Sequence, residues 1–331
     1  MTIKSNSIFR VSVIIPFFKV APFIKRCAES LLEQTLKDVE FIFVDDASPD
    51  ESREILEKVI ARYPGRSARI VTHEHNKGLP AARNTGLAEA SGEFIYHCDS
   101  DDWVETDILE KMVGKADETG ADFVYCDFWM QFEKKSRYMV NPTYTDPEQM
   151  IKEGFFAGLM KYNVWNKLLK KNLYEGIRFP DGYGMGEDMT IILAATRATR
   201  IAHVPEALYY YVKLNLNAIS NSFSEKHLTD IQFNTARTLK ELADWDVKDK
   251  DKYLGFFKLN IKLPFLLSGD KKLFRLWKEW YPESDKYVLE NKYLPFRIRL
   301  VQWFAVKRFF MLVRIYDFLV NKVYYGLKFR V

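Results

Sequence analysis

Apolar runs in the first 126 residues alternate with amphipathic segments, which indicates strands followed by helices. Each run is short, rich in β-branched and aromatic residues, and bounded by polar residues, proline or glycine. The runs predict strands at residues 11–18, 39–46, 68–74, 93–99 and 121–128. The segments between them predict helices at residues 22–35, 50–62, 79–91 and 105–119. Because the runs are apolar throughout, we expect a parallel sheet covered by helices on both faces.

The rest of the chain is less regular and predicts two further parts. Residues 141–221 include a glycine-rich run at 182–188 and predict mixed strands with a helix at 186–199. Residues 222–290 predict helices, with Ser224 as an N-cap. We therefore divide the chain into an α/β domain, a helical extension and a tail, at residues 1–221, 222–290 and 291–331.

Composition is that of a globular protein. Of the 331 residues, 47% are hydrophobic and 15% aromatic, which suffices for a packed core and excludes a disordered or collagen-like chain. The three cysteines are too few and too scattered for a disulfide framework or a zinc site, so a reducing, cytoplasmic compartment is favoured. The first ten residues contain no apolar signal core, and secretion is not indicated.

The net charge of +4 hides a basic C-terminal tail. Residues 291–331 contain nine Lys or Arg and one acid, a net charge of +8 that leaves −4 for residues 1–290. On a helical wheel, residues 306–325 separate a basic half from an apolar half. No run of about 18 uncharged apolar residues exists, so the pattern predicts a helix that lies in a membrane interface.

Other partners for this tail are less favoured. A helix packed on the protein's own core is the main alternative, but the one-signed charge and the aromatic content favour an anionic membrane surface. Nucleic acid is not an expected partner, because the aromatic residues follow the apolar face and do not form a base-stacking groove.

The cluster Asp99-Ser100-Asp101-Asp102 directly follows a predicted strand. Its three carboxylates repel one another, and a hard divalent cation is the usual reason for holding such groups together. Mg²⁺ or Mn²⁺ needs only one or two of them when substrate oxygens complete the coordination. The alternative is a helix N-cap, which requires one acid rather than three. The sequence therefore predicts a metal site at this strand end.

Further polar groups lie at the ends of other predicted elements. Asp46 closes the second strand, where a carboxylate can accept a uracil N–H or a ribose hydroxyl; a turn is the alternative. Lys77 and Arg83 flank a glycine and a helix start, a combination that suits a diphosphate. Glu187 and Asp188 follow the glycine-rich run, either as caps or as a general base beside a cleft. The chain has no Walker A or GxGxxG motif, so NTPase and dinucleotide functions lose support.

The order of these segments resembles inverting family-two glycosyltransferases with the GT-A fold. The segments are VSVIIPFF, VDDASPD, NKGLPAARNTGL, HCDSDDW and GED, and the resemblance covers residues 10–215. It implies a Rossmann-like, mostly parallel sheet with helices on both faces, followed by the helical C-terminal region. It also implies an enzyme that moves a sugar from a UDP-sugar to an acceptor hydroxyl with Mn²⁺ or Mg²⁺.

The resemblance further implies roles for individual residues. Asp188 would be the catalytic base, and Glu187 would orient the base or the acceptor. Asp99 and Asp101 would hold the metal, with Asp101 contacting it directly and Asp99 also reaching ribose or sugar. The remaining donor-binding residues would be Pro16, Phe17, Asp46, Lys77, Arg83, Ser100 and Asp102. Trp165 would lie on the acceptor side.

The chain departs from the family pattern after its tyrosine-rich segment. The family often has an arginine there, whereas Lys213 follows Tyr209–Tyr211, and Lys213 would take over the contact with the diphosphate. A lipid-linked glycan acceptor would bring the enzyme to the membrane that the tail is predicted to bind. This predicts surface polysaccharide assembly by a peripheral protein on the inner face of the cell membrane.

Two other functions stay open. A sugar nucleotidyltransferase would need a glycine-rich, arginine-containing signature after the first strand, and IIPFFKVAPF lacks it. A non-catalytic, membrane-bound scaffold would keep the fold without the chemistry, because a fold does not fix a function.

Overall fold

The computed structural model describes residues 9–214, 224–266 and 270–319. The chain separates into two compact units. The first comprises Met1–Pro147 and Tyr162–Trp245, and the second comprises Glu148–Lys161 and Asp246–Val331. The predicted three-part division at residues 221 and 290 stays a prediction.

The first unit is built on a mixed sheet of nine strands within the described residues. The strands are β1 (Val11–Phe17), β2 (Val39–Asp45), β3 (Ser67–Thr72), β4 (Phe94–His97), β5 (Trp103–Val104), β6 (Phe123–Gln131), β7 (Ser136–Met139), β8 (Lys167–Lys170) and β9 (Ile201–Val212). Their order is β3-β2-β1-β4-β8-β6-β9-β5, and β7 pairs with β6. Strands β1 to β4 are parallel, as their apolar runs predict.

Helices follow the strands in the predicted alternation. In chain order they are α1 (Ala21–Leu32), α2 (Ser52–Ile60), α3 (Leu79–Glu89), α4 (Ile108–Thr119), α5 (Pro147–Gln149), α6 (Thr190–Ala195), α7 (Glu225–Glu241), α8 (Lys250–Leu266), α9 (Lys271–Glu279), α10 (Phe296–Val306) and α11 (Phe310–Asp317). A π-helix follows α5 at Met150–Phe156, and 3₁₀-helices occupy Lys171–Tyr174, Glu187–Met189 and Pro282–Tyr287. The predicted N-cap is confirmed, because the Ser224 hydroxyl accepts a hydrogen bond from the His227 amide.

The central strands are buried on both faces. Every residue of β1 and of β2 is buried, and successive side chains of a strand point to opposite faces. Helices must therefore cover both sides of this part of the sheet. The register pairs Phe17 with Asp45 and Ile14 with His97, so the carboxyl ends of these strands meet at one edge. Asp46 and Asp99 follow directly at that edge.

Helix α3 lies close against β1, which fixes the depth of the side chains it carries. A Cβ atom on Gly86 would lie 2.3 Å from Cγ2 of Ile14, a fully buried residue of the central strand. Only glycine permits this approach without displacement. Arg83 lies one turn before Gly86 and is itself buried.

The sheet differs from the prediction on one side of β4. The predicted fifth strand, β6, is separated from β4 by β8, which runs antiparallel to both. Strand β8 is the four-residue segment KLLK, too short and too polar at its ends to be predicted from its pattern. Strand β9 then extends the sheet beyond β6 in parallel, with a register shift near Asp127.

The second unit is helical, and its C-terminal part differs from the predicted single helix at residues 306–325. Helix α10 ends at Val306, Arg308 has a φ of 63°, and α11 begins at Phe310. A residue in the left-handed conformation cannot continue an α-helix, so the helix ends before Arg308 and a second helix begins after it. Residues 320–325 lie outside the described part. Among the described helices, none has the length and hydropathy that a bilayer span requires.

Candidate active site

A cavity of about 450 Å³ opens at the carboxyl edge of β1 and β4. Segments that are far apart in the sequence line it together. The predicted site residues among them are Pro16, Phe17, Asp46, Arg83, Asp99, Ser100, Asp101, Trp165, Glu187 and Asp188. Two predicted site residues, Lys77 and Asp102, do not line the cavity.

Asp46 shapes the loop that enters α3. Its Oδ1 accepts hydrogen bonds from the Lys77 amide and from Nδ1 of His73, both at 2.8 Å. Its Oδ2 accepts a bond from the Gly78 amide at 2.8 Å. His73 is held on its other side by the Thr85 hydroxyl, 2.8 Å from Nε2. Asp46 is thus buried and fixed at the cavity wall, and Lys77 contributes its backbone while its side chain is exposed.

Arg83 joins two of the predicted acidic residues. Its Nε donates to Oε1 of Glu187 at 2.9 Å, and its Nη2 donates to Oδ1 of Asp99 at 2.8 Å. Although burial alone would lower the pKa of Arg83, the two carboxylates raise it above its ordinary value. Burial raises the pKa of Glu187 to about 7, against the opposing effect of Arg83.

This buried cluster keeps hydrogen-bonding capacity at the cavity. Nη1 of Arg83 and Oε2 of Glu187 are buried and have no hydrogen-bond partner in the described part of the protein. One is a donor and the other an acceptor, and both residues line the cavity. Unpaired buried polar atoms are costly, which indicates that a polar ligand satisfies them.

Asp102 is tied to β9. Its Oδ2 accepts a bond from the Tyr209 hydroxyl at 2.6 Å, and its Oδ1 accepts one from the Val212 amide at 2.7 Å. Burial, with the nearby charges of Asp101 and Asp99, raises the pKa of Asp102 well above its usual range. Its position favours a role in holding the cluster, and its predicted contact with the sugar stays a prediction.

Aromatic side chains form a further part of the cavity wall, next to the acidic cluster. Trp165 stacks on Tyr209 at 4.3 Å and on Tyr211 at 5.3 Å between ring centroids. Trp165 and Tyr211 line the cavity. Lys213 donates a hydrogen bond to the Tyr211 hydroxyl at 2.9 Å, which brings a cation beside this wall. Lys213 itself does not line the cavity, and its predicted contact with the diphosphate stays a prediction.

Lys167, two residues after Trp165, is a buried lysine. Nζ of Lys167 donates to the Asn163 carbonyl and to Oδ1 of Asn166, both at 2.7 Å. Asn163 lines the cavity, so Lys167 holds the segment that carries Trp165. Burial lowers the pKa of Lys167 to about 7, although Cys126 and Asp188 raise it.

The acidic residues fit a divalent cation. Within the described residues, no three His, Cys, Asp or Glu side chains form a complete protein-only site. Asp99 and Asp101 both line the cavity, and the Asp99 side chain is 27% exposed although Arg83 holds one of its oxygens. A Mg²⁺ or Mn²⁺ ion that takes most of its ligands from substrate oxygens and water needs no more than this. That Asp101 and Asp99 hold a metal ion stays a prediction.

The general-base candidates stand where the glycine-rich loop ends. Gly186 has a φ of 84°, and the next three residues form the 3₁₀-helix that leads into α6. Asp188 lines the cavity on the same side as Gly186. The cavity therefore combines a buried polar floor, two carboxylates suited to a cation and a carboxylate suited to accepting a proton. Such a set of groups suits a group-transfer reaction.

Comparison with known proteins gives the family. Residues 12–191, more than half of the chain, match the family described as Glycosyl transferase family 2. The chain belongs to this family. Residues 1–349 of S. aureus TarS in complex with UDP-GlcNAc align with a TM-score of 0.70 at 20% identity, over 95% of this chain and 92% of that chain. This likeness confirms the predicted GT-A fold.

Two relatives are similar in sequence. An uncharacterized glycosyltransferase of Bacillus subtilis, EpsJ, is 37% identical over 212 residues, 61% of this chain and 60% of EpsJ. A cholesterol galactosyltransferase of Borreliella burgdorferi is 28% identical over 294 residues, 82% of this chain and 81% of that protein. The match to EpsJ therefore spans less than two thirds of either chain, whereas the second match extends into the C-terminal unit.

Proposed function

We propose that this protein is an inverting, metal-dependent glycosyltransferase that moves a sugar from a UDP-sugar to an acceptor hydroxyl. The observation that carries the proposal is the convergence of Asp46, Arg83, Asp101 and Asp188 on one cavity. These residues come from four segments, and each supplies a different part of the required chemistry.

The nucleotide end of the donor lies at Asp46. Pro16 and Phe17 give the cavity an apolar wall beside this carboxylate, which suits a uracil ring with an imino N–H. Asp46 accepts bonds from three protein groups, and each carboxylate oxygen has lone pairs to accept more than one. The TarS complex with UDP-GlcNAc supports a uridine donor for this fold.

The diphosphate lies at the acidic cluster. Asp101, with the open oxygen of Asp99, would hold Mn²⁺ or Mg²⁺. When bound, the cation would act as a Lewis acid on the charge that develops on the leaving UDP. Lys213 beside Tyr211 would add a second positive charge. Ser100 lines the cavity between the two carboxylates, where its hydroxyl suits a donor oxygen.

The acceptor enters on the side of Trp165. Its hydroxyl is a weak nucleophile at neutral pH, so a base must accept its proton as the new C1–O bond forms. Asp188 would take that proton while UDP leaves from the opposite face of C1, which inverts the anomeric centre. Arg83 holds Glu187 in place beside this base, with a salt bridge of 2.9 Å.

Release of UDP tests this proposal against its two alternatives. The full chain, incubated with UDP-sugars and Mn²⁺, is expected to release UDP, and a chelator should stop the release. A sugar nucleotidyltransferase would instead produce pyrophosphate from UTP and a sugar phosphate. No turnover of any UDP-sugar, with or without metal and lipid acceptors, would contradict the enzyme proposal and favour the scaffold.

We further propose that the acceptor is a lipid-linked glycan used in surface polysaccharide assembly, and that the C-terminal region binds the inner face of the membrane. Helix α11 leaves an apolar face uncovered, with Met311 73%, Ile315 47% and Phe318 54% exposed. These positions follow helical spacing and fall on one side, whereas Val313 is buried on the other. The exposed Arg308 lies at the break before this helix.

The shape and charge around α11 support a lipid surface. A groove of about 530 Å³ is lined by Phe274, Phe310 and the exposed face, with Lys271 and Arg314 among its lining residues. Apolar side chains flanked by cations suit acyl chains below anionic headgroups. The sterol acceptor in the name of the Borreliella relative also favours an acceptor held at a membrane.

Removing the apolar face is expected to release the protein from vesicles. The full-length triple variant Met311→Gln, Ile315→Gln, Phe318→Gln should bind vesicles containing anionic phosphatidylglycerol at least about tenfold less tightly, since each buried apolar side chain is worth about 1.5–3 kcal/mol. Sedimentation with vesicles measures this. Val140→Gln, which changes a side chain that is 71% exposed in the first unit, is the control and should bind as the wild type does. Equal binding by the triple variant would contradict the membrane proposal.

A further inference from the structure

The glycine-rich loop at residues 180–186 forms part of the cavity wall immediately before Glu187 and Asp188. Gly184, Met185 and Gly186 line the cavity. Gly182 and Gly186 have φ angles of 81° and 84°, in the left-handed region that glycine favours. A segment with so few side chains has to be fixed through its backbone groups.

Helix α7 carries a buried polar stripe where an apolar one is expected. Asp230 and Asn234 are 2% exposed, and Thr235 and Thr238 are 0% and 1% exposed. The spacing places them on one face of the helix. Buried polar groups destabilise a fold unless they are hydrogen-bonded, so this face must have polar partners.

The loop supplies those partners. Nδ2 of Asn234 donates hydrogen bonds to the carbonyl oxygens of Tyr183 and Met185, each at 3.0 Å. Oδ2 of Asp230 accepts a bond from the Met185 amide at 3.3 Å. The side-chain amide of Asn234 therefore joins two residues of the loop, Tyr183 and Met185. The carboxylate of Asp230 holds Met185 as well.

Two further contacts of α7 hold the start of the same loop. Nζ of Lys226 donates to the Gly182 carbonyl at 2.9 Å and to Oδ1 of Asp230 at 3.0 Å. The ring of Phe233 stacks on Tyr183, with centroids 3.6 Å apart and planes 6° apart. The loop is thus tied to α7 along its length, from Gly182 to Met185.

We propose that Asp230 and Asn234 are positioning residues, which fix the loop so that Asp188 faces the reacting carbon and water is kept from it. This inference rests on the glycosyltransferase function proposed above. Loss of the hydrogen bonds between α7 and the loop should leave the nucleotide end of the cavity intact, because Asp46 and the strand edge do not depend on α7. It should lower transfer to the acceptor and raise the share of donor that water consumes.

Asn234→Asp tests the two hydrogen bonds from Asn234 to the loop, because it removes them with little change in side-chain shape. The substitution replaces the donor amide by an oxygen that faces two carbonyl oxygens, which repel it. We expect kcat for transfer to fall at least about tenfold, the Kd for UDP to stay within about threefold, and the ratio of hydrolysed to transferred sugar to rise several-fold. Asp230→Asn should shift the same ratio in the same direction by a smaller factor, and it serves if Asn234→Asp does not fold.

Thr238→Val is the matched control, since it removes a hydroxyl from the same stripe one turn beyond Asn234. It is expected to change the melting temperature without changing the ratio of hydrolysis to transfer. If Asn234→Asp and Thr238→Val changed only the melting temperature, the positioning role would be overturned while the enzyme function stood. A wild-type chain without UDP release would instead overturn the proposed function and this inference with it.

Discussion

Replacing Asp188 by asparagine is expected to abolish sugar transfer while donor binding persists. Asparagine has nearly the same shape but cannot accept the acceptor's proton, and a positioned general base contributes about 10²- to 10⁴-fold to the rate. We therefore expect kcat for transfer to fall by about that factor. The Kd for UDP, measured by calorimetry with Mn²⁺, should stay within about threefold of the wild-type value.

The control for this variant is a carboxylate outside the cavity. Asp117, whose side chain is 60% exposed, can be changed to asparagine with no expected effect on transfer or on UDP binding. Transfer by Asp188→Asn at more than about a tenth of the wild-type rate would show that another group accepts the proton. Glu187, with its pKa raised to about 7, would then be the first candidate.

Replacing Arg83 by methionine is expected to cost about 3–5 kcal/mol in the free energy of unfolding, the range for removing one partner from a buried ion pair. The side chain is 2% exposed and bonds to both Glu187 and Asp99, so its loss leaves a buried carboxylate without its cation. Chemical denaturation with urea measures the change. We also expect UDP-sugar binding to weaken, because the donor group Nη1 is lost from the cavity wall.

The pH dependence of the free energy of unfolding of Arg83→Met distinguishes an electrostatic effect of the substitution from a packing effect. Burial already raises the folded-state pKa of Glu187 above its unfolded value, and removal of Arg83 should raise it further. A carboxyl group with a raised folded-state pKa stabilises the fold at low pH and loses that contribution as the pH rises through the folded-state pKa. The loss in free energy of unfolding caused by Arg83→Met should therefore be smaller at pH 5.5 than at pH 8.5.

Arg53→Met provides the comparison on the surface. Arg53 is 46% exposed and pairs with Glu57 at 2.9 Å within one helix and, more distantly, with Asp45 at 3.8 Å. Because solvent screens its charge, its loss should cost about 1 kcal/mol, well below the loss expected for Arg83. If Arg83→Met lost no more free energy of unfolding than Arg53→Met, or if its loss did not depend on pH, the proposed electrostatic role of Arg83 in the buried cluster would be contradicted.

The acidic residues of the site were predictable because they end apolar runs. Asp46 and Asp99 follow strands whose parallel order is indicated by their pattern, and parallel strands bring their carboxyl ends to one edge. Glu187 and Asp188 were identified by the glycine-rich run before them. The resemblance to the family supplied their roles, which the local pattern left open between caps and catalysis.

The groups that hold these residues were not predictable in the same way. His73 binds Asp46, and Lys167 is buried and holds the segment of Trp165, but the pattern around these two residues predicts neither contact. Asp230 and Asn234 interrupt an apolar helix face for partners about 50 residues away. Such pairings depend on which segments meet in the fold, and neither composition nor periodicity encodes them.

The break at Arg308 shows a different limit. The wheel for residues 306–325 predicted an amphipathic segment and assumed one continuous helix, whereas α10 ends at Val306 and α11 begins at Phe310. Arg308, between the two helices, has a φ of 63°, and in α11 Val313 is buried while Met311 and Ile315 are exposed. Of the apolar half that the wheel predicted, Leu312 and Leu319 are exposed and Val313 is buried.

An experimental structure of the Asp188→Asn variant with a UDP-sugar and Mn²⁺ tests the central proposal most directly, because this variant should hold the donor without consuming it. We predict the uracil beside Asp46, the cation between Asp101 and the diphosphate, and C1 of the sugar facing position 188. A donor bound elsewhere, or one whose C1 faces away from position 188, would contradict the proposed mechanism.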